Sequence, residues 1–153
     1  MRPVRRKDRE ITVQETMTIL DGAEYGVLST VGEDGQPYGI PISYAYKDDS
    51  IYFHCAVAGQ MLDNIALNPK VSFCVVGKTK VLPDKFGTEY ESVIVFGTAR
   101  EIMGSERHTA LVWLLEKYCS NHLHDGLKYM EQKDKITRVV KLEIIHISGK
   151  ARR

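Results

Sequence analysis

The amino-acid sequence predicts a mainly β fold: a six-stranded antiparallel barrel with two or three short helices. Six segments combine β-branched and aromatic residues with turn residues at their ends, as strands do. They follow one another mostly as a meander, which favours antiparallel pairing. Closure into a barrel removes the exposed sheet edges. The 153 residues fit one domain over 1–153, in which we expect 1–10 to be a flexible arm.

The first half of the chain is predicted to hold one helix and three strands. Thr12–Asp21 is expected to be helical because Thr12 and Glu15 have the spacing of a capping box. The strands begin at Tyr25, Pro37 and Ser50. Asp34-Gly35 between the first two is a strong hairpin signal. Pro41 cannot donate a ladder hydrogen bond, so its strand, 37–46, is expected at an edge or a bulge.

The second half is predicted to hold three strands and the remaining helices. A short helix ends near Asn68-Pro69, and 77–89 is rich in turn residues and is predicted to be a long loop. Gly97 within a strand indicates a bulge or a close backbone approach. Ser105 is predicted to cap a helix over 105–119, and 125–133 is a possible short helix. The strands begin at Lys70, Tyr90 and Arg138.

Composition and charge narrow the class of protein. The formal net charge is +1, which gives no support for a nucleic-acid or membrane-surface partner. No apolar run approaches the ~20 residues of a membrane span, and no secretory leader opens the chain. The three cysteines, an odd number, are expected to be free thiols. We therefore expect a cytoplasmic protein.

Two familiar ligand motifs fail on inspection. GKTK at Gly77 looks like the end of a phosphate-binding loop, but Ser72 stands where that motif needs glycine. No GxGxxG segment supports a dinucleotide-binding Rossmann site.

Four possible zinc ligands follow the long helix: Cys119, His122, His124 and Asp125. Their spacing is not that of a structural zinc site, so we interpret them as polar residues at a helix end and predict no metal.

The region 28–71 is laid out as a hairpin, a strand, a loop that opens a short helix, Asn-Pro and a further strand. The informative segments are LSTV at Leu28, DGQPY at Asp34, IYFHCA at Ile51, LDNI at Leu62, NPKVSF at Asn68, YESVIVFG at Tyr90, ALVWLLEKY at Ala110 and ISGKAR at Ile147. In these segments and their order the chain resembles the flavin-binding split-barrel superfamily of pyridoxamine 5'-phosphate oxidase. It looks most similar to the nitroimidazole-resistance-like branch of that superfamily.

The resemblance implies a homodimer of split barrels with a flavin at the interface, FMN in the first place and FAD as an alternative. The strand matching 40–44 then lies along the flavin, and the positions matching His54 and Cys55 lie near its ribityl chain or phosphate. The helix start at 59–62 offers free N–H groups to an anion. The predicted cofactor contacts are Ile40, Pro41, Ile42, Ser43, Tyr44, His54, Cys55, Ala56, Gln60, Met61, Asn64, Ser92 and Lys150.

Two of these positions depart from the family pattern. Gln60 and Met61 stand where the family usually has Arg or Lys paired with the flavin phosphate. Each missing charge-assisted hydrogen bond weakens phosphate binding by about 1.5–3 kcal/mol. The sequence therefore leaves open a weaker FMN site, a different flavin, or an empty site.

His54 is the one candidate catalytic residue, and the sequence leaves two interpretations of it open. It could donate to a phosphate or substrate, or transfer a proton near neutral pH. It could equally be a half-buried strand histidine bonded to a neighbour. Cys55 is interpreted as a small apolar residue rather than a reactive thiol.

Three functions follow from the sequence. The first is an FMN-dependent oxidoreductase that passes electrons from a reduced nicotinamide to a small acceptor, such as a nitro-aromatic, at the dimer interface. The second is a non-catalytic flavin or haem binder for storage or delivery. The third is a dimeric scaffold with a vestigial pocket. Pyridoxamine-phosphate oxidation itself is disfavoured, because it needs further basic contacts to the substrate phosphate.

Overall fold

The computed structural model describes the whole chain, Met1 to Arg153. The helices are α1 (Val13–Gly22), α2 (Gln60–Leu67), α3 (Gly104–Tyr118) and α4 (Leu123–Gln132). The strands are β1 (Gly26–Val31), β2 (Pro37–Ile42), β3 (Ala45–Lys47), β4 (Ser50–Cys55), β5 (Lys70–Leu82), β6 (Gly87–Ile102) and β7 (Arg138–Arg152). No helix combines the length and the apolar character needed to cross a bilayer.

All seven strands form one antiparallel sheet in the order β2-β1-β5-β6-β7-β4-β3. The two edge strands, β2 and β3, are separated along the chain only by Ser43 and Tyr44. Three Cα–Cα steps of about 3.8 Å span at most about 11 Å, so the two edges of the sheet must curve back toward each other. The sheet is therefore an open barrel with a slit between β2 and β3.

The expectation of six strands is wrong, because the segment 37–46 forms two strands instead of one. The break lies at Tyr44, whose backbone N–H donates to the hydroxyl of Tyr118 at 2.9 Å instead of to a neighbouring strand. The same hydroxyl lies 3.0 Å from the Tyr44 carbonyl oxygen and 2.6 Å from that of Glu24. A side chain from α3 thus satisfies the backbone at the slit, and β2 is an edge strand as Pro41 predicts.

The helices follow the predicted signals with two corrections. The capping box of α1 is confirmed, with the Glu15 N–H 3.2 Å from Thr12 Oγ1 and the Thr12 N–H 3.1 Å from Glu15 Oε2. Four helices form instead of two or three, because the possible helix near 125–133 is α4. Ser105 does not cap α3. The extended Met103 is the cap residue, so Ser105 already lies inside the first turn.

The predicted long loop over 77–89 is also wrong, because most of it continues the sheet. β5 runs to Leu82 and β6 begins at Gly87, and the two pair across this region. Lys80 lies opposite Glu89, an opposite-charge pair that supports the ladder. The turn residues Pro83–Lys85 form only the tip, followed by Phe86 in the left-handed conformation. The result is a hairpin whose outer part pairs only with itself.

The bulge predicted at Gly97 is confirmed. The β6–β7 register shifts between Phe96 and Gly97, so Ile145 is the extra residue on β7. A Cβ atom on Gly97 would lie 2.1 Å from the carbonyl oxygen of Glu143, so no larger residue fits without a shift of the backbone. The alternation of inward and outward side chains on β7 changes phase at this point.

Two apolar clusters stabilise the fold. The larger one fills the barrel and includes the fully buried Leu28, Phe53 and Phe73. The smaller one lies outside the barrel, where α3 packs Leu111 and Leu114 against the outward side chains of β4 and β7. The sheet is thus covered on its outer side around β4, and a different region of its outer side stays open.

The N-terminal segment, predicted to be a flexible arm, makes specific contacts. Glu10 forms a backbone bridge with Lys150, and the N–H of Ile11 donates to the carbonyl of Gly149 at 3.2 Å. Val4 is buried. These contacts hold the segment beside the end of β7.

Candidate functional site

The open part of the sheet presents two rows of outward side chains, which we call the outer rows. Register defines them, because residues directly opposite in paired strands point to the same face. One row is Gly39, Ser29, Ser72, Phe96 and His146, and the other is Pro41, Val27, Cys74, Ile94 and Ser148. None of these residues is buried, and none is Asp, Glu, Lys or Arg. An uncharged surface of small and apolar residues therefore runs across five strands.

Phe96 and His146 form the most distinctive pair in the outer rows. Their ring centroids are 6.4 Å apart and the ring planes are inclined by 28°. They lie opposite each other beside the bulge, where β7 changes phase. Sequence reasoning missed His146 as a site residue, because the bulge hides which side of β7 it faces. Cys74 lies two positions further along β5 than Ser72, and burial raises the pKa of its thiol.

Ser92 and Lys150, two predicted cofactor contacts, lie directly opposite each other on β6 and β7. They continue the outer rows by one step beyond Ile94 and Ser148, and both are half-buried. The sequence pattern therefore identified two residues that the fold brings together on the open face.

The end of β4 carries His54 and Cys55. His54 is exposed on one side, and desolvation by the protein on its other sides lowers its pKa. Cys55 lies opposite Arg138, and desolvation together with the charge of Glu101 raises its pKa to about 11. The Cys55 thiol is therefore protonated at neutral pH, in agreement with its interpretation as an unreactive residue.

Several predicted contacts have their side chains turned into the protein. The Tyr44 ring is fully buried against Phe73, with ring centroids 4.9 Å apart, and the Lys117 ammonium lies 4.0 Å from its centre. Burial raises the pKa of Tyr44. Ile40 and Ile42 pack against the barrel core, whereas Pro41 and Ser43 are exposed. Along this segment only backbone groups and the outward residues are free to meet a ligand.

The predicted contacts at the start of α2 are likewise divided between exposed and buried side chains. Gln60 is exposed, but Met61 is buried in the barrel core. Asn64 is also buried, and its Nδ2 donates to Thr30 Oγ1 at 2.9 Å. Met61 and Asn64 hold α2 against the barrel, so their side chains are not free for a cofactor. Ala56 is exposed in the loop before the helix.

The predicted site residues therefore form two groups on one chain. The first contains His54, Cys55, Ala56 and Gln60 at the end of β4 and the start of α2, and the second contains Ser92 and Lys150. Pro41 lies in the same outer row as Ser148, one step from the second group, and Ser43 follows it at the slit. Lys150 lies twelve residues beyond Arg138, the partner of Cys55, on the same strand. At about 3.3 Å per residue this is roughly 40 Å of strand. One protomer does not bring the two groups into a single mononucleotide-sized site.

A groove elsewhere on the molecule contains none of these residues. It has a volume of about 780 Å³ between α1 and the β5–β6 hairpin. Arg153 spans it, with its guanidinium 2.9 Å from Glu15 and 3.0 Å from Glu91. No group of three or more His, Cys, Asp or Glu side chains is arranged to hold a metal ion.

Comparison with known proteins identifies the family. The model of the pyridoxamine 5'-phosphate oxidase family matches residues 12–151, so this chain belongs to that family. An uncharacterized protein from Rhizobium meliloti is 31% identical over 104 residues, which are 65% of this chain and 64% of that protein. The match therefore spans less than two thirds of that relative's length.

Two solved structures show the same fold. A candidate 5-nitroimidazole antibiotic resistance protein from Bacteroides thetaiotaomicron is similar with a TM-score of 0.76 and 19% identity, over 93% of this chain and 86% of that one. An FAD-binding protein from Mesorhizobium loti is similar with a TM-score of 0.66 and 22% identity, over 95% and 98% of the two chains. The family and these structures confirm the predicted mainly β fold of the pyridoxamine 5'-phosphate oxidase type, whereas the sheet has seven strands and does not close into a barrel.

Proposed function

We propose that this protein binds a flavin between two copies of the chain and acts as an oxidoreductase on a small acceptor such as a nitro-aromatic. The observation that carries the proposal is the uncharged surface of the outer rows, which no part of the chain buries. Family membership supports it, as does the similarity to an FAD-binding protein and to a candidate nitroimidazole resistance protein. The proposal concerns the ring system that FMN and FAD share.

The residues of the open face fit a planar ring. The outer rows are built largely from small residues, so a flat apolar molecule can lie against them without displacing a charged side chain. β2 is an edge strand, so the N–H and C=O groups on its free side have no ladder partner. Such groups at 40–43 can bind the polar edge of the ring, except at Pro41, which has no N–H.

The division of the predicted contacts supports a homodimer. A two-fold axis brings one surface of a protomer against the same surface of its copy. It can thereby place Ser92 and Lys150 of one protomer beside the slit and the β4 end of the other. A shared site of this kind uses both groups of residues, whereas a monomer leaves them about 40 Å apart along β7.

A bound flavin would supply the hydride and electron chemistry, taking a hydride from a reduced nicotinamide and releasing electrons to the acceptor. The chain's own residues bind and orient. His54, with its lowered pKa, is largely neutral at pH 7 and can accept a hydrogen bond or a proton at the end of β4. Cys55 stays protonated beside it. The outer rows exclude water from one side of the ring.

The test measures the amount of bound flavin, the oligomeric state and the rate of turnover. Purified protein is incubated with FMN or FAD, separated from free ligand, and examined by visible absorbance and light scattering. We expect a dimer that retains flavin and oxidises reduced nicotinamide when a nitro-aromatic or another acceptor is present. Ile94→Glu places a charge in an outer row and should abolish both dimer and flavin, whereas Glu89→Gln, outside the rows, should keep both.

The outcomes separate the alternatives. A monomer that retains no flavin would overturn the proposal. A dimer that holds flavin with no turnover across several acceptors would reject the oxidoreductase activity and leave a binding or delivery role. Tight uptake of haem instead of flavin would replace the proposed cofactor.

A further inference from the structure

Two cavities lie beside the proposed flavin site, where β4 ends and α2 begins. The first has a volume of about 560 Å³ and lies between α2 and the β6–β7 ladder. The second has a volume of about 340 Å³ and lies at the start of α3. Val57, Glu101 and Arg138 line both cavities, so the two are neighbours. Each has the size of a small-molecule site, which is about 300–1,000 Å³.

The first cavity combines an apolar lining with an unpaired carboxylate. Ala58, Leu62 and Ala66 line it from α2 and the loop before that helix. Asp63 also lines it, is exposed, and its carboxylate makes no hydrogen bond or ion pair within the protein. A flat purine can lie against the apolar side chains and donate its exocyclic amino group to this carboxylate. The cavity therefore suits an adenine ring.

Basic side chains border the two cavities. The Arg100 guanidinium on the first cavity is 52% exposed, and its nearest carboxylate oxygens are 3.6 Å away, beyond a good hydrogen bond. Arg138 uses only Nη1 for Glu101, at 2.7 Å, so its other N–H groups are free. Lys135 on the second cavity is exposed and forms no ion pair. These three side chains can bind phosphate groups at the border between the cavities.

Arg107, a further cation on the second cavity, has a structural role instead. Its Nη1 atom donates to Asp134 at 2.6 Å, and its Nη2 atom donates to two backbone carbonyl oxygens just before β7. These bonds join α3 to the segment that leads into β7. Arg107 is therefore committed, and Arg100, Arg138 and Lys135 are the groups available to a ligand.

We propose that these cavities bind the adenosine diphosphate half of a dinucleotide whose other half reaches the flavin site. The inference rests on the proposed flavin function and names the ligand class of the region next to it. Cys55, a predicted contact of the flavin tail, lies directly opposite Arg138, so the cavities begin where that tail is expected to end. Two dinucleotides carry this chemistry: FAD as the cofactor, and a reduced nicotinamide dinucleotide as the electron donor.

The first experiment titrates ADP into the full-length protein, with and without FMN, by isothermal calorimetry. We expect saturable binding that Arg100→Gln weakens about ten-fold, because a charge-assisted bond to phosphate is lost. Arg5→Gln removes the same charge from an exposed residue outside both cavities and should change ADP affinity by less than about two-fold. Absence of ADP binding, or equal effects of the two substitutions, would overturn the inference.

A second pair of variants tests the first cavity without removing an ion pair. Ala66→Glu adds a carboxylate at an exposed helix position that lines the cavity, and it should weaken ADP binding at least about ten-fold by repulsion of the phosphates and loss of space. Leu67→Glu adds the same charge at the next position, which is exposed and lines neither cavity. Thermal unfolding checks that both variants are folded. Equal ADP affinities in the two variants would show that ADP binds elsewhere, and the inference would fail.

Flavin and nicotinamide titrations distinguish the two dinucleotides. If FAD is the ligand, it should bind at least about ten-fold more tightly than FMN, and Arg100→Gln should remove the difference while leaving FMN binding unchanged. If the donor is the ligand, Arg100→Gln should raise the KM of the FMN-loaded enzyme for a reduced nicotinamide dinucleotide but not for reduced nicotinamide mononucleotide. Absence of both effects in a protein that binds flavin would overturn the inference alone. Failure of every flavin to bind would instead overturn the proposed function, and ADP binding is measured independently of it.

Discussion

Tyr118→Phe tests how the slit of the barrel is maintained. The substitution removes one oxygen atom and leaves the ring in place. In the native structure that oxygen accepts from the Tyr44 N–H at 2.9 Å and lies 2.6 Å from the Glu24 carbonyl oxygen, to which it can donate. Tyr44 is fully buried, so its N–H would be left without a partner. The substitution therefore separates the hydrogen bonds of Tyr118 from its packing.

The expected loss can be worked out from these contacts. An unsatisfied buried donor costs about 1–3 kcal/mol, and the bond to the carbonyl of the exposed Glu24 contributes about 0.5–1 kcal/mol. Water can reach Tyr118 from the exposed side of its ring and recover part of this, so we expect the free energy of unfolding to fall by about 1.5–3 kcal/mol. Urea unfolding measures that fall, and hydrogen exchange at the Tyr44 amide should become faster.

Tyr129→Phe is the matched control for this prediction. Tyr129 is 61% exposed, and its hydroxyl makes no hydrogen bond within the protein. The same chemical change there should alter the free energy of unfolding by less than about 0.5 kcal/mol. If Tyr118→Phe behaves like the control, the hydroxyl does not hold the break between β2 and β3, and the explanation of the seventh strand is refuted.

Three further predictions concern stability and titration. Gly97→Ala should lower the free energy of unfolding in urea by about 1–3 kcal/mol or more, because the added Cβ would meet a carbonyl oxygen. Gly22→Ala is the control: it has open space around it and should be neutral or slightly stabilising. Equal effects of the two substitutions would contradict the bulge geometry. Asn64→Ala should lose about 1–3 kcal/mol by the same assay, because a buried hydroxyl loses its donor; a loss below 0.5 kcal/mol would argue against that bond. NMR titration should give His54 a pKa below its usual 6.5. Between the pKa of His54 in the folded protein and its higher value of about 6.5 in the unfolded chain, only the unfolded chain takes up a proton readily. The free energy of unfolding should therefore decrease as the pH is lowered below about 6.5. His54→Gln should reduce this fall, and a His54 pKa at or above 6.5 would contradict the desolvation.

The local signals in the sequence were sufficient for much of the fold. The capping box at Thr12, the Asp34-Gly35 hairpin, the edge position of Pro41 and the bulge at Gly97 all depend on residues close together in the chain. Each has a conformational or hydrogen-bonding requirement that its neighbours reveal. For this reason sequence reasoning located them correctly.

The failures depend on contacts from distant parts of the chain. The break at Tyr44 is made by the hydroxyl of Tyr118, 74 residues away on α3, and no residue in the segment 37–46 indicates it. The hairpin over 77–89 contains Gly77, Pro83 and Gly87, which resemble loop residues until Lys80 is seen opposite Glu89. A hydrogen bond from a distant side chain decided the first case and pairing between strands decided the second, and local propensity decided neither.

The same distinction governs the candidate site. Sequence resemblance selected Tyr44, Met61 and Asn64 as contacts by position alone, but the direction of a side chain depends on the pleat and on which face of α2 meets the barrel. His146 was missed because a single inserted residue on β7 reverses that direction. Position in the chain therefore does not decide which side chains can touch a ligand, whereas the register of the sheet does.

Register also connects the site to assembly. The outer rows are continuous because five strands keep their outward residues aligned, and the two groups of predicted contacts lie at opposite ends of β7 because that strand is fifteen residues long. If β7 ended at Gly149, Ser92 would have no partner on β7 and the row that holds Ser92 and Lys150 would be lost. The length of β7 thus makes a shared site between two protomers the simplest way for these residues to act together, and the uncharged face between the two groups is the surface on which the copies would meet.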